Sequence, residues 1–202
     1  MAPIEAVIFD LGRVMLSIDP FRPKFSALML AMGIRPEEAF GVYWREPEVI
    51  AHMTGRMTPE RFHQSLRARF GLRLAYADFV EAWSDLFAPI AGMEDIFENV
   101  GKRFRVGILS DTDSLHWRKA LALLPRLRRA ARPTLSFEVG FLKPAPETYR
   151  EAARNADAPP GACLFIDDLP ENVEGARNAG MAGIVFAGAE RLRGELEVRG
   201  IL

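Results

Sequence analysis

The chain has 202 residues, of which 49% are hydrophobic and 26% are charged, a composition typical of folded globular proteins. Its formal net charge of −1 argues against a dedicated nucleic-acid or membrane-surface binder, because such proteins carry a large basic excess. The single cysteine, Cys163, excludes an intramolecular disulfide and a cysteine-based zinc site. No apolar run approaches the ~18 residues of a membrane span. We therefore expect a cytoplasmic protein with no nucleic-acid and no membrane partner.

The first pattern along the chain is a short apolar run of β-forming residues, Ile4 to Phe9, which stops at Asp10. Gly12 follows at once, and apolar residues then recur at every second position over residues 14–18. Alternation at period two is typical of a strand, whereas glycine after a strand is typical of a tight turn. The segment predicts a buried strand, a glycine-containing turn and a short hairpin-like flap.

The period becomes helical from residue 20 to about residue 90. Thr58 stands before Pro59 as an expected N-cap, and Gly71 stands where a helix would end. Apolar side chains recur every four residues in two runs, first Phe62, Leu66 and Phe70, then Phe79, Trp83 and Phe87. These patterns predict a small lobe that is entirely helical.

Apolar runs alternate with helix-length segments beyond residue 91. The strand-like runs are Val106–Leu109, Thr134–Val139, Ala162–Ile166 and Gly183–Ala187. Such alternation predicts the α/β class, with a Rossmann-like parallel sheet sandwiched between helices and a small all-helical domain inserted into it. We expect residues 1–19 and 91–202 to form the α/β core domain and residues 20–90 to form the inserted domain.

Polar residues stand at the ends of the predicted strands. They are Asp10 after the first strand, Ser110 after the second, Lys143 shortly after the third, and Asp167 with Asp168 after the fourth. Ligands of open α/β sheets bind beyond the carboxyl ends of the strands, so we expect these side chains to converge there. Three carboxylates form an oxygen-rich set suited to Mg²⁺, and a lysine beside a hydroxyl suits a phosphate group.

The same positions carry a resemblance to a known family. Four segments in this order resemble the four motifs of the haloacid dehalogenase-like hydrolase superfamily: Phe9-Asp10-Leu11-Gly12, Leu109-Ser110, Leu142-Lys143-Pro144 and Phe165-Ile166-Asp167-Asp168. The helical insertion resembles the α-helical cap that one subfamily carries after its first motif. Within that subfamily, the chain is most similar to the sugar-phosphatase-like branch, which includes α-D-glucose-1-phosphate phosphatases.

The resemblance implies a Mg²⁺-dependent phosphatase. Asp10 would attack phosphorus and become a transient aspartyl-phosphate. The ion would be held by Asp10, the backbone carbonyl of Gly12 and Asp168, with Asp167 bound directly or through water. Ser110 and the amide of Asp111 would bind the phosphoryl oxygens, and Lys143 would neutralise them. The implied partner is a small phosphorylated metabolite, with sugar phosphates as the expected class.

Two positions depart from the family pattern. Most phosphatases of the superfamily have a second aspartate as general acid and base two residues after the nucleophile, where this chain has Gly12. Positioned proton transfer contributes roughly 10²–10⁴-fold, so we expect a leaving group that departs readily, such as an anomeric sugar oxygen. Asp111 stands where the branch usually has asparagine, and we expect Arg13 to pair with it and so reduce its repulsion of phosphate.

Two other functions stay open at this point. A 2-haloacid dehalogenase shares the fold and attacks carbon without a metal, but the doubled acid Asp167-Asp168 argues against it. A catalytically impaired binding protein of the same fold is the second alternative, because Gly12 and Asp111 both depart from the phosphatase pattern. The sequence does not indicate the oligomeric state. The candidates for the surface that faces the substrate are Trp44, Trp83 and Met53, although aromatic residues at helical spacing are more often core.

Overall fold

The computed structural model describes residues 3–41, 43–130 and 132–202, so residues 1, 2, 42 and 131 of the predicted domains lie outside the described residues. The strands are β1 (Ala6–Phe9), β2 (Leu16–Ile18), β3 (Phe87–Pro89), β4 (Arg105–Ser110), β5 (Thr134–Leu135), β6 (Cys163–Asp167) and β7 (Ala182–Val185). The helices are α1 (Pro23–Ala31), α2 (Pro47–Met53), α3 (Pro59–Phe70), α4 (Tyr76–Trp83), α5 (Met93–Val100), α6 (Ser114–Leu123), α7 (Ser136–Val139), α8 (Pro146–Asn155), α9 (Pro170–Asn178) and α10 (Ala189–Val198). Short 3₁₀ helices span Pro36–Glu38, Tyr43–Arg45, Pro125–Arg129 and Pro160–Ala162. No helix in the described part of the chain is long and apolar enough to cross a membrane.

Five strands form a parallel sheet in the order β5-β4-β1-β6-β7. Strand β1 is central, and its last residue, Phe9, is level with Ile108 of β4 and Ile166 of β6. The parallel α/β sheet predicted from the sequence is therefore confirmed. Because the three central strands run in register, their carboxyl ends open onto the same edge of the sheet.

Alternate residues of the central strand enter two different layers of core. Val7 and Phe9 pack into a large cluster with residues of α5, α6 and α10, whereas Ala6 and Ile8 pack into a smaller cluster with residues of α8 and α9. This alternation follows from the period of two along a strand. The larger cluster continues into the helices of residues 20–90, so that segment shares its core with one face of the sheet.

Helices α1 to α4 lie between β2 and β3, which pair antiparallel. The predicted cap of α3 is confirmed, since Thr58 Oγ1 accepts a hydrogen bond from the amide of Arg61 and Gly71 ends the helix with φ +65°. The prediction that Phe87 continues the helical run of Phe79 and Trp83 is wrong. Helix α4 ends at Trp83, and Phe87 begins β3, where it pairs with Ile18.

The predicted strand Thr134–Val139 is only partly correct. Thr134 and Leu135 pair with β4, but residues 136–139 turn into the short helix α7. The hydroxyl of Ser136 accepts from the amide of Thr112 and donates to the carbonyl of Met53, and these tertiary bonds compete with further strand pairing. Gly140, with φ +82°, then ends the helix.

Candidate active site

The carboxyl ends of the three central strands bring together the residues predicted to carry chemistry. Asp10 follows β1, Ser110 is the last residue of β4, and Asp167 is the last residue of β6. The amide of Asp10 donates to the carbonyl of Ile166 at 2.8 Å, which fixes Asp10 to the strand that ends at Asp167. The side chains of Asp10, Ser110 and Asp167 are buried. The sheet therefore supplies a rigid platform for this polar cluster.

A buried lysine joins two of the aspartates. The ammonium of Lys143 donates to Asp10 Oδ1 and to Asp167 Oδ2, each at 2.6 Å. Burial alone would lower the pKa of Lys143, but the charges of Asp10 and Asp167 more than offset this effect and hold the pKa above its ordinary value. The lysine is therefore a permanent cation within the cluster.

The charged form of Asp10, unlike that of Lys143, is destabilised by its surroundings. The pKa of Asp10 is raised to about 7, because burial and the neighbouring charge of Asp167 together raise it by more than the charge of Lys143 lowers it. Asp10 shares its one buried cation with a second carboxylate, so the ionised form is only partly compensated. A strongly perturbed carboxyl group at a sheet edge is typical of a functional site.

Asp167 is held by the start of α9. Its Oδ1 accepts from the amide of Leu169 at 2.8 Å, and both of its oxygens lie 3.1 Å from Asn172 Nδ2. With Lys143 as a further donor, both oxygens of Asp167 already accept hydrogen bonds. Asn172 was not among the candidate site residues, and the structure shows that it orients this carboxylate.

Asp168 completes an acidic triad with Asp10 and Asp167. One carboxylate oxygen from each residue lies within 4.8 Å of the others. Asp168 is half-buried, and burial followed by the charge of Asp167 raises its pKa. Its closest cation is the guanidinium of Arg13, 3.8 Å away. Hard oxygen ligands with excess negative charge form a set that suits a divalent cation such as Mg²⁺.

The expected ion pair between Arg13 and Asp111 is not what the structure shows. Arg13 adopts a left-handed conformation with φ +59°, which few side chains other than glycine adopt, and its guanidinium lies against Asp168. Asp111 instead accepts the amide of Lys143 with both oxygens, at 3.0 and 3.1 Å. Asp111 therefore fastens the segment that carries the lysine to the end of β4.

The cluster opens into a cavity of about 210 Å³. Seven of the eight predicted site residues line it: Asp10, Gly12, Arg13, Ser110, Asp111, Lys143 and Asp168. The eighth, Asp167, lies fully buried behind Lys143. Of the candidate aromatic residues, Trp44 lines the cavity together with Phe40, whereas Trp83 and Met53 are buried in the core. Phe40, Ile18 and Leu169 were missed as lining residues because their position depends on tertiary packing.

A second buried carboxylate lies two residues beyond Asp111. Asp113 is the N-cap of α6, and its Oδ1 accepts from the amides of Leu115 and His116 at 2.8 and 2.9 Å. Its Oδ2 accepts from Trp83 Nε1 at 2.9 Å and lies 3.1 Å from His116 Nδ1. His116 Nε2 lies 2.9 Å from the carbonyl of Trp83. This junction cluster (Asp113, His116 and Trp83) joins α6 to α4.

A parallel sheet with three aspartates and a buried lysine at its carboxyl edge defines an α/β enzyme with an acidic centre. The model of the haloacid dehalogenase-like hydrolase family matches residues 4–180, and the chain belongs to this family. It is accordingly a hydrolase.

Relatives of known activity and structure agree with this family. The chain is 23% identical over 189 residues to D-ribitol-5-phosphate phosphatase of Bacteroides thetaiotaomicron, covering 88% of this chain and 89% of that protein. A family enzyme of Bacteroides thetaiotaomicron, solved with magnesium and inorganic phosphate, has a TM-score of 0.78 at 20% identity over 92% of this chain and 95% of its own. L-2-haloacid dehalogenase of Xanthobacter autotrophicus has a TM-score of 0.63 at 20% identity over 98% of this chain and 84% of its own. At these identities the structural matches establish the fold.

Proposed function

We propose that the protein is a Mg²⁺-dependent phosphatase that hydrolyses a small phosphorylated metabolite through an aspartyl-phosphate on Asp10. The observation that carries this proposal is the ammonium of Lys143, held at 2.6 Å from both Asp10 and Asp167 beside the third carboxylate of the triad. In the same proposal, residues 20–90 act as a helical cap, because Phe40 and Trp44 from this segment line the cavity above the triad.

The donor set fits a magnesium ion. Asp10 and Asp168 would hold it together with the backbone carbonyl of Gly12, whereas both oxygens of Asp167 already accept hydrogen bonds. When bound, the ion supplies positive charge that offsets the repulsion between a carboxylate and a phosphate dianion. A relative with the same fold was solved with magnesium and inorganic phosphate, which supports this assignment.

Asp10 acts as the nucleophile. One of its oxygens forms a bond to phosphorus while the bond between phosphorus and the leaving-group oxygen breaks. The hydroxyl of Ser110 donates to the phosphoryl oxygens, and the ammonium of Lys143 balances their charge. Water then attacks phosphorus, which releases inorganic phosphate and restores the Asp10 carboxylate. Asp111 serves as a positioning residue, since it holds the backbone of Lys143.

A relative that acts on a phosphorylated polyol, the D-ribitol-5-phosphate phosphatase, supports phosphate ester hydrolysis as the reaction class. The narrower expectation of a sugar phosphate rests on the sequence resemblance alone.

The decisive experiment is a phosphate-release screen over sugar phosphates, nucleotides and aryl phosphates, with Mg²⁺ and with EDTA. We expect Mg²⁺-dependent release that Asp10→Asn abolishes. The matched control is Asp157→Asn, since Asp157 is a carboxylate with a 90% exposed side chain that does not line the cavity. Circular dichroism of each variant verifies that the fold is retained.

The same screen tests the two alternatives. Chloride release from 2-chloropropionate that persists in EDTA, without phosphate release, would assign the protein to the dehalogenases. No turnover of any compound, with Mg²⁺ bound and the fold intact, would indicate a binding protein. Either result would overturn the proposed phosphatase.

A further inference from the structure

Part of the lining of the cavity is an apolar wall. It is formed by Ile18, Phe40, Trp44 and Leu169, which line the cavity together with the polar residues. Leu169 has 37% of its surface exposed at this rim. Ligand-binding sites are typically concave and lined mostly by apolar and aromatic side chains, with a few polar groups among them.

The two aromatic rings of this wall are held in place by other rings. Trp44 lies parallel to Trp83, with 5.3 Å between ring centroids, and parallel to His116 at 6.0 Å. Phe40 lies parallel to Phe25 at 6.2 Å and contacts Trp44 at 4.9 Å. Flat side chains that are already fixed lose little conformational entropy when a ligand binds. The wall is therefore a preorganised surface for stacking.

The polar side chains of the cavity are mostly engaged with one another. Asp111 is bonded to the backbone of Lys143, Asn172 to Asp167, and the Lys143 ammonium to the triad. The guanidinium of Arg13, whose side chain is 49% exposed, lies 5.8 Å from the Phe40 ring of the apolar wall. A substrate with many hydroxyl groups would bury them against Ile18, Phe40, Trp44 and Leu169, at a cost for each unpaired group.

The chemistry of the leaving-group oxygen also restricts the class of substrate. The carboxyl groups that line the cavity are Asp10, Asp111 and Asp168, and each already has a role as nucleophile, positioning residue or ion ligand. Gly12 adds no acid that could protonate a leaving group. A phenolic oxygen, with a pKa of about 10 as in tyrosine, departs far more readily without an acid than an alkyl alcohol does.

We infer that the substrate is an aryl phosphate, with a single aromatic ring seated against Phe40 and Trp44 as the specificity-determining residues. This inference rests on the proposed phosphatase function. Asp10 bonds to phosphorus, the phosphorus–oxygen bond to the ring breaks, and the phenolate takes a proton from water. A second water then releases inorganic phosphate. The cavity of about 210 Å³ limits the ring system to a small one, since pockets that bind drug-sized ligands measure about 300–1,000 Å³.

Four substrates separate ring stacking from leaving-group strength. Phenyl phosphate has a flat ring and a phenolic leaving group, and benzyl phosphate has a flat ring and an alkyl one. α-D-Glucose 1-phosphate has an activated leaving group without a flat ring, and D-ribitol 5-phosphate has neither. With Mg²⁺, we expect the highest kcat/KM for phenyl phosphate, about 10²-fold above benzyl phosphate, and at least a further tenfold decrease for D-ribitol 5-phosphate.

Variants of the aromatic wall test the residues themselves. We expect Trp44→Ala and Phe40→Ala to raise the KM for phenyl phosphate about tenfold and to leave the KM for α-D-glucose 1-phosphate within about twofold. Trp44→Phe keeps a flat face and should restore most of the affinity. Phe21→Ala is the matched control, because Phe21 is an aromatic residue with 63% of its surface exposed that does not line the cavity.

The outcomes distinguish this inference from the function on which it rests. If α-D-glucose 1-phosphate or D-ribitol 5-phosphate has a kcat/KM equal to or above that of phenyl phosphate, the aryl phosphate assignment is overturned and the phosphatase stands. Equal loss of all four activities in Trp44→Ala and Trp44→Phe also overturns it, because the tryptophan would then only support the fold. Failure of the wild-type protein to hydrolyse any of the four with Mg²⁺ overturns both.

Discussion

The two buried aspartates Asp10 and Asp113 show opposite electrostatic behaviour in one protein. Both are almost fully buried, and burial by itself raises the pKa of each. The pKa of Asp10 is indeed raised, to about 7. The pKa of Asp113 is instead held well below its usual range by His116 and the surrounding donors. Burial alone therefore does not determine the protonation state of a carboxylate. The number of hydrogen-bond donors directed at the carboxylate determines it as well.

The hydrogen-bond donors to Asp113 and to Asp10 differ in number and in the other groups that they contact. Asp113 receives two backbone amides, an indole N–H and the imidazole of His116, and His52 Nε2 lies 3.7 Å from its Oδ1. Asp10 shares one ammonium with Asp167, so its charge stays undercompensated. We infer that the junction cluster around Asp113 stabilises the fold, whereas the acidic triad around Asp10 receives a cation and an anionic substrate.

The largest expected effect comes from Asp10→Asn. Because the variant lacks the proposed nucleophile, we expect phosphatase activity to fall by at least about 10⁴-fold. The thermal midpoint in EDTA at pH 8 should stay the same or rise, since the substitution removes a charge that the fold does not fully compensate. Differential scanning calorimetry and phosphate release measure the two effects on one sample. A midpoint that falls by as much as that of an Asp113 variant would contradict the division of roles.

Asp113→Ala should act mainly on stability. It removes a helix N-cap and leaves the imidazole of His116 and the indole N–H of Trp83 without their acceptor, and breaking a buried pair of this kind costs about 3–5 kcal/mol. We expect the thermal midpoint to fall by about 10 °C while the kcat of the folded fraction stays within a few-fold. Ser114→Ala, at the adjacent half-buried position, is the control and should change stability by less than about 0.5 kcal/mol.

The sequence predicts the sheet and the polar ends of its strands well, because both depend on local pattern. Apolar runs that stop at Asp10, Ser110 and Asp167 identify β1, β4 and β6 together with one chemical group on each. The misassigned segment, residues 136–139, has the same alternating pattern as a strand. It folds as a helix because Ser136 is bonded to Met53 and Thr112, contacts that a local pattern does not contain.

The parts of the site that depend on tertiary packing were not predictable in this way. Phe40 and Trp44 lie between the first motif, which ends at Gly12, and the second, which begins at Leu109. Their place in the cavity depends on how the helices dock on the sheet. The partner of Asp113, Trp83, is 30 residues away in sequence. Arg13 was assigned to Asp111 on charge alone, and its left-handed backbone turns it to Asp168 instead.

Variants of the two clusters should respond differently to magnesium. A ligand that binds only the folded state at a hundred times its Kd stabilises by about 2.7 kcal/mol, so we expect saturating Mg²⁺ to raise the thermal midpoint by about 5–10 °C. Asp168→Asn should lose this increase, because it removes a carboxylate of the triad. Asp113→Ala should keep it from a lower starting midpoint, as should the exposed control Asp157→Asn. An unchanged increase in Asp168→Asn would contradict the proposed ion site.

A further expected effect is on the dependence of stability on pH. Asp10 has a folded pKa of about 7 against an ordinary value of 3.8, so between these values the folded protein keeps a proton that the unfolded chain releases. In EDTA, stability should therefore fall as pH rises from about 4 to about 7. Asp113 has a lowered pKa, so its contribution is present above about pH 4 and is lost as pH falls below that value.

The two aspartates thus give slopes of opposite sign in adjacent pH windows. Urea unfolding in EDTA at intervals from pH 3 to pH 8 measures both. We expect Asp10→Asn to flatten the curve between pH 4 and 7, and Asp113→Asn to flatten it below pH 4. Mg²⁺ should reduce the slope in the upper window alone, since a cation favours the ionised form of Asp10. If Asp10→Asn leaves the slope between pH 4 and 7 unchanged, another group holds that proton and the contrast with Asp113 fails.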